Sequence, residues 1–590
     1  MKHNYLVVFL LIIAGTGKIF AQAPKITSFS PSGGPVGTQV IIDGSGFSAV
    51  PDSNVVYFGA THAVVNSADA AQLLVTVPAG ATYKPITVLN KTTKLSCQSA
   101  LSFGTTFAPA DTTFDPLITL TNVPVANVQM ADIDGDGKPD IIATSPHLRE
   151  LLIFLNQSKP GALTTQSFAA PGIFKTGTQP GIVSIGDMDA DGKPDILLLN
   201  VGFTHTPNGN NSLTFFHNAS TPGTVKLTPA LITDSTATAP ANYNFQLKAG
   251  DKVARVGDID GDGKPDISVL NAAGFITVYL NKFAPGDSLK TIFGTPDTVS
   301  VGNGPTTVVV GDLTNNGTLD LVTTNYKDAS VTVLNNTSTP GSVSFQRTDF
   351  PLGYSPATVS LADIDGDGKL DLVIGKPANG STDLVHNTST PGHFGATSIS
   401  LTNVNAVSNY NDDIVIQDIS GDSKPDILSL NAALNAVYLY TNKSTQGQTT
   451  AAYFNNYTTF PIIIIPDCIG DLDGDGRPDI VIGSAFGITI YHATYVPPQQ
   501  VTIPAAQGGM SIYPNPASMA TNVKYYLPYP SNVTISVYDI VGRLLTSYNM
   551  GQESAGTHID DINVSSLQLG VYVVRVQASS FNKSAKLIVQ

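Results

Sequence analysis

Covalent bracing is nearly absent from this chain. Only two cysteines occur in 590 residues, Cys97 and Cys468, and they lie too far apart to suggest a disulfide framework. Tryptophan is missing altogether, which removes a favoured stacking platform for sugars, although 21 tyrosines remain. Glutamate is almost missing too. Glu150 and Glu553 stand against 43 aspartates, so the acidity is not that of solvated helix faces. Charged residues make up 13% of the chain and apolar ones 42%, a composition that excludes intrinsic disorder. Basic residues form no cluster and the net charge is −15. That argues against nucleic acid or an anionic membrane as partner and in favour of metal cations.

Long apolar runs are equally scarce. Leu6–Ala14 follows Lys2 and His3 and leads into "KIFAQAP", the layout of a secretory signal over residues 1–21. Pro24 disfavours a cut after Ala23, so cleavage is expected after Ala21. The run is short for a membrane anchor and no other segment is long enough to span, so no transmembrane segment is expected. No cysteine at the cleavage site supports a lipid anchor. A secreted chain without disulfides needs another stabiliser, and bound metal is the obvious candidate.

The chain is too long for one core. Helical 3.6-residue periodicity is rare, and short Val/Ile/Leu/Thr segments between Gly, Pro, Asn and Asp indicate an all-β protein. Seven related loops begin at Asp132, Asp187, Asp258, Asp312, Asp363, Asp418 and Asp471, spaced by 55, 71, 54, 51, 55 and 53 residues. The long interval implies an insertion around 208–211 or 234–244. Each loop opens an apolar run such as "DILLLN", and a second strand follows that ends in Asn and a turn, as in "VTVLNNTSTPG". A unit of about 55 residues and about four short strands has the size of one propeller blade. The expected fold is therefore a seven-bladed β-propeller over residues 112–497, flanked by an immunoglobulin-like β-sandwich at 24–107 and a second β-sandwich at 504–590.

The loop pattern is D-Φ-D-G-D-G-K-P-D. Oxygen ligands at positions 1, 3, 5 and 9 suit a hard cation preferring six to eight oxygens, and the two glycines permit a tight backbone path around it. Loop 1 offers Asp132, Asp134, Asp136 and Asp140 with the backbone carbonyl of Lys138, whose side chain is expected to point outward. Loop 2 offers Asp187, Asp189, Asp191, Asp195 and Lys193, and loop 3 offers Asp258, Asp260, Asp262, Asp266 and Lys264. Loop 5 offers Asp363, Asp365, Asp367, Asp371 and Lys369, and loop 7 offers Asp471, Asp473, Asp475, Asp479 and Arg477. Loop 4 reads "DLTNNGTLD" and keeps Asp312, Asn316 and Asp320, with Thr314 at position 3. Loop 6 reads "DISGDSKPD" and keeps Asp418, Asp422 and Asp426, with Ser420 at position 3 and Ser423 replacing a glycine. Calcium is favoured over magnesium, which holds a stricter octahedron and keeps its waters. Zinc is disfavoured because no His or Cys lies within the loops. Five firm calcium sites and two weak ones are expected. The loops hold 25 of the 45 acidic residues, and clustered unpaired carboxylates would repel strongly.

An EF-hand requires Glu at position 12, where the first three loops carry Ala143, Leu198 and Val269. The loop and its β context instead resemble the FG-GAP/VCBS propeller repeats of integrin α-subunits and bacterial surface proteins. That resemblance implies calcium binding in the loops. At the N-terminus, Pro35, Gly37, Val40, Ile42, Gly44, Gly46 and Phe47 match the P-x-x-G-x-x-V-x-I-x-G-x-G-F pattern, and this region resembles the IPT/TIG immunoglobulin-like modules. At the C-terminus, Pro514, Asn515, Pro516, Tyr538, Asp539, Gly542, Arg543, Gly570, Tyr572 and Lys586 resemble the sorting domain of the bacterial type IX secretion system. That likeness implies export to the outer surface and the secretion machinery as a partner.

No G-x-S-x-G, H-E-x-x-H or Gly-rich phosphate loop occurs. The nine histidines are scattered; His386 and His393 flank an "NTSTPG" turn and read as a surface turn. The sequence leaves three functions open. The first is adhesion or recognition of an extracellular glycan or protein by the propeller's face loops, in a protein expected to be monomeric. The second is a polysaccharide-degrading propeller, catalytic or accessory. The third is a display or spacer protein without its own ligand.

Overall fold

In the computed structural model every described regular element is a strand, apart from two short 3₁₀ turns. The described residues are 23–107, 112–114, 118–177, 179–200, 212–230, 244–248, 250–284, 293–376, 381–395, 397–404, 414–431, 436–447, 454, 457–460, 468–495, 510–527, 530–539, 543–578 and 581–590. The expected signal segment, residues 208–211 and 234–243 of the second unit's candidate insertion sites and Gly542 of the sorting motif lie outside them. The chain divides into two compact units, Met1–Thr494 and Tyr495–Gln590.

Each repeat folds as an antiparallel sheet whose strands lie in chain order. The first contains Asn127–Ala131, Asp140–Ser145, Glu150–Phe154 and Gly172–Lys175, and five more follow to Tyr457–Phe460. The Asp loop always joins the first strand to the second. Second strands such as Asp140–Ser145 and Asp195–Asn200 are buried throughout, because a sheet packs on each of their faces. This is why they read as unbroken apolar runs rather than alternating ones. Outer fourth strands such as Asp297–Ser300 are largely exposed and correspondingly polar.

The last sheet takes its fourth strand from far upstream. Ile118–Thr121 pairs with Gly487–Tyr491, beside Asp479–Ser484 and Cys468–Gly470. Its apolar residues then pack on the first sheet, where Leu472, Val481 and Ile490 join Val128, Met130 and Ile141 in one cluster. A cluster of this kind fills each successive interface between neighbouring sheets. The described residues thus form seven sheets, each packed on two neighbours. They are called blades 1 to 7 below.

Residues 25–102 form the immunoglobulin-like β unit expected for them, with its two halves joined edge to edge. Seven strands form one continuous sheet wrapped around Val40, Ile42, Phe58, Leu73, Val75 and Phe103. Strand Thr61–Ala68 makes the turn. Its first residues pair with Asn54–Phe58 and its later ones with Gln72–Thr76, with an irregularity between Val65 and Ser67. Bulges of this kind bend a strand from one half of a barrel-like sheet into the other.

In the C-terminal unit, a three-stranded sheet (Ser511–Tyr513, Ala520–Leu527, Gly556–Asn563) and a four-stranded one (Leu544–Glu553, Ser531–Tyr538, Gly570–Ala578, Phe581–Val589) enclose a single core. Alternation puts Val523, Tyr525 and Leu527 inside and leaves Lys524 out. Asn515 explains its place in the sorting motif. Its Nδ2 donates to the Lys586 carbonyl and its Oδ1 accepts from Ile588 N, at 2.6 and 2.8 Å, stitching the final strand to the domain's start.

Candidate metal centre

The loops close on their own carboxylates. In loop 1, Asp132 accepts bonds from the N–H groups of Gly135, Asp136 and Gly137 at 2.8 to 3.0 Å. Asp134 accepts from Asp136 N and Asp136 from Lys138 N. Asp140 spans two strands, accepting from Ile133 N at 2.9 Å and from Asn156 N at 2.8 Å. The turn needs left-handed backbone at positions 4 and 6, and Gly135 and Gly137 supply it with φ of 77° and 88°. Ala190 at position 4 of loop 2, Asn315 at position 4 of loop 4 and Ser423 at position 6 of loop 6 adopt the same sign of φ, at 55°, 48° and 68°. The two depleted loops therefore keep the same path. Asp312 accepts from Asn316 N and Gly317 N, and Asp418 from Gly421 N and Ser423 N.

The other loops repeat the carboxylate bonding of loop 1 at positions 1 and 9. Asp187, Asp258, Asp363 and Asp471 repeat the role of Asp132. Asp195, Asp266, Asp320, Asp371, Asp426 and Asp479 repeat that of Asp140. Burial dominates their electrostatics and disfavours the charged form. It lifts Asp132 and Asp258 to about 7 and Asp140 and Asp266 to about 8, with neighbouring aspartates adding to the rise. A bound cation would offset this penalty. Further signs of a fit are buried oxygens at position 3 without a hydrogen-bond partner: Thr314 Oγ1, Asp365 Oδ2 and Ser420 Oγ. The neutral substitutes in loops 4 and 6 thus retain an unsatisfied oxygen where the full loops have a carboxylate.

Three features escaped the sequence. The first is the Asn that ends each third strand. Asn387 Nδ2 donates to Leu370 O of its own loop and to Leu313 O of the preceding blade's loop, at 2.9 and 2.8 Å. Asn156, Asn218, Asn281, Asn336 and Asn442 do the same, each reaching one blade back. Blade 7 has Ala493 at this position. Recurrence of Asn beside a turn was visible, but its partners sit 74 to 316 residues away.

The second is histidine. His217 Nδ1 lies 3.0 Å from Asp189 and 3.4 Å from Asp195, His386 Nδ1 lies 3.1 Å from Asp365 and 3.2 Å from Asp371, and His492 Nε2 lies 2.9 Å from Asp473. His386 therefore belongs to strand Ser381–Asn387 beside loop 5, not to a surface turn. No histidine lies within the loops in sequence, yet three stand beside them in space. The available signal was a histidine directly before the third strand's terminal Asn or Ala.

The third is the position-7 side chain, which does not simply point outward. Lys138, Lys193 and Lys424 reach the carbonyls of Ser158, Ser220 and Ser444 in their own blades, and Arg477 lies over the ring of Phe107.

The N-terminal sheet covers this face. Ala60 O accepts from Asp132 N at 2.9 Å, Gly192 O accepts from Tyr57 OH at 3.1 Å, Ala190 O accepts from Lys94 Nζ at 2.8 Å, and Gly263 O accepts from Ser96 N at 2.7 Å. At loop 6 the approach is so close that a Cβ on Gly33 would stand 2.4 Å from Ser423 Oγ. A cavity of about 730 Å³, lined among others by Tyr57, Lys84, Gln129 and Arg255, lies between this sheet and the inner strands of blades 1 to 3.

Comparison with known proteins agrees with this anatomy. Residues 24–108 match the IPT/TIG domain. Residues 132–198, 258–323, 320–374 and 418–482 match the FG-GAP-like repeat, and residues 355–399 match the FG-GAP repeat. Residues 511–590 match the secretion system C-terminal sorting domain. The chain thus carries FG-GAP repeats. More particularly, it joins those repeats to an IPT/TIG domain and a type IX sorting domain, and is secreted or displayed at the cell surface. Among the described residues no helix is long and apolar enough to cross a membrane.

No curated protein matches the chain. Solved structures similar to it include a structural-genomics protein of unknown function from Bacteroides thetaiotaomicron, at 14% identity over 80% of this chain and 98% of that one, with a TM-score of 0.29. An auxiliary nutrient binding protein from Bacteroides ovatus is 10% identical over 80% and 99%, with a TM-score of 0.27. PorZ, a surface component of the type IX secretion system of Porphyromonas gingivalis, is 14% identical over 96% and 75%, with a TM-score of 0.33.

Proposed function

We propose that the protein is a calcium-stabilised recognition module of the outer cell surface, binding an extracellular glycan or protein. Its five full Asp loops take calcium as structural ions, and loops 4 and 6 bind it more weakly because they carry fewer anionic ligands. The ligand is met on the face opposite the Asp loops, where the turns between second and third strands emerge. The observation that carries this reading is the N-terminal sheet lying across the Asp-loop face, with bonds to loops 1, 2 and 3. That placement makes the acidic loops interior supports and leaves the other set of turns to meet partners.

Glycan and protein arrays, run with calcium and again with chelator, test it. Binding to a defined class that survives mutation of the N-terminal sheet but fails after substitutions in the second-to-third-strand turns is the expected result. A folded, calcium-loaded protein that binds nothing on either array refutes recognition and favours a spacer. Release of reducing ends from a polysaccharide panel would instead reveal an enzyme.

A further inference from the structure

The residue just before each third strand's terminal Asn or Ala divides the seven loops into two chemical groups. It is Leu155, Leu280, Asn335 and Thr441 in blades 1, 3, 4 and 6, and His217, His386 and His492 in blades 2, 5 and 7. In the second group an imidazole nitrogen stands 2.9 to 3.1 Å from the position-3 carboxylate. Three compact sets result: Asp189, Asp191 and His217; Asp365, Asp371 and His386; Asp473, Asp475 and His492. Within each set, one ligand atom per residue lies within 4.8 Å of the others.

Distance alone does not distinguish a hydrogen bond from two ligands of one ion. Donors and acceptors sit about 2.7–3.2 Å apart. Two atoms bound at about 2.1 Å stand about 3.4 Å apart on a tetrahedral ion and about 3.0 Å apart at the right angles of a five- or six-coordinate one. Direction does distinguish them. Asp365 is 2% exposed, yet its Oδ2 makes no hydrogen bond although His386 Nδ1 is 3.1 Å away. His217 Nδ1 likewise makes none although Asp189 Oδ2 is 3.0 Å away. These two pairs have the separation of co-ligands without the alignment of a hydrogen bond; His386 Nδ1 is aligned instead on Asp371 Oδ1 at 3.2 Å, and in loop 7 His492 Nε2 is hydrogen-bonded to Asp473 Oδ2 at 2.9 Å, so His492 is assigned by its equivalent position.

We infer that loops 2, 5 and 7, which take calcium when it alone is supplied, are mixed nitrogen–oxygen sites that prefer a first-row divalent ion of the zinc type, with His217, His386 and His492 as ligands. Imidazole suits zinc, nickel and copper, whereas calcium and magnesium take oxygen almost exclusively. This rests on the reading of the loops as cation sites and subdivides them. Loops 1 and 3, with leucine at the corresponding position, remain all-oxygen calcium sites.

The test uses the full secreted chain, stripped with chelator and dialysed separately against zinc chloride and calcium chloride, with bound metal counted by elemental analysis. The wild type is expected to hold three more zinc equivalents than the His217→Ala/His386→Ala/His492→Ala variant. Zinc affinity at those loops should fall about tenfold or more, since even outer-shell changes weaken metal sites by about that factor. Calcium uptake by loops 1 and 3 should stay unchanged in the variant, and also serves as its folding check. Equal zinc uptake by a folded variant overturns the inference. If the variant misfolds, X-ray absorption on zinc-loaded wild type decides: imidazole scattering supports the assignment and an all-oxygen shell overturns it. A protein that binds calcium but no zinc loses this inference alone. One that binds zinc only at the histidine loops and no calcium loses the calcium reading instead.

Discussion

Removing calcium should loosen the repeat region by an amount that can be worked out in advance. Loops 1, 2, 3, 5 and 7 are the full sites, and each joins the first two strands of its sheet. At about 1 mM calcium, a site with a dissociation constant of about 0.1–1 mM adds about 0.4–1.4 kcal/mol to stability. Five such sites supply about 2–7 kcal/mol. Unfolding entropy near the midpoint is about 2.1 cal/mol/K per residue, or about 0.8 kcal/mol/K for a region of this size. Each kcal/mol then moves the midpoint by about 1.3 °C, and excess chelator should lower the melting temperature by about 2.5–9 °C. Differential scanning calorimetry before and after chelation, with calcium added back, measures it. A midpoint that stays within a degree while elemental analysis confirms removal of the metal would refute the structural role of these ions.

In chelator the same protein should also show a reversed pH response. Burial raises Asp132 and Asp258 to about 7 and Asp140 and Asp266 to about 8, against about 4 in an unfolded chain. The folded state therefore holds more protons than the unfolded one. Its advantage is complete below pH 4 and is lost as pH rises through 7 to 8. The metal-free melting temperature should fall between pH 5.5 and 8.5, and a rise over that range would contradict the assignment. Asn387→Ala removes donors to two buried carbonyls and the acceptor for Ser389 N. It should destabilise by about 2–4 kcal/mol, read by thermal or denaturant unfolding; no measurable loss would mean the clasp is dispensable. Lys376 pairs with Asp383 at 2.6 Å, both buried, and Tyr354 donates its hydroxyl to the same carboxylate. Lys376→Met should cost about 3–5 kcal/mol by stranding Asp383, and Lys376→Met/Asp383→Leu should recover most of it. A double variant as unstable as the single one would show that packing, not charge, governs the site.

Local order was legible in the sequence and non-local partnership was not. The Asp loops announced themselves because every ligand lies within nine residues, and the apolar runs after them because strands buried on both faces carry no alternation. Asn218 and its equivalents looked like turn residues, since the carbonyls they hold belong to the preceding blade. His217, His386 and His492 reach the loops from the third strand, 13 to 22 residues past position 9, so no motif window includes them. Lys138 was sent outward because the Ser158 carbonyl that holds it lies on the far side of a hairpin. The wrapped N-terminal sheet turns where strand Thr61–Ala68 changes partner after Ala63, which alternation alone does not reveal. Neither the face it covers nor the upstream strand of the last sheet leaves a trace in spacing.

That upstream strand has a consequence for how the molecule is made. Ile118–Thr121 waits for Gly487–Tyr491, so during synthesis the growing stack carries an unpaired strand at each end. Exposed edges of this kind invite pairing between chains. In chain entropy the final pairing costs only about 1.7 kcal/mol more than closing a loop the length of one repeat, since the penalty grows as the logarithm of loop length. The delay is one of timing rather than of thermodynamics. Ring closure must follow translation of nearly the whole chain. The interval before it is when aggregation competes with folding, and a protein bound for export passes through that interval before it reaches the surface.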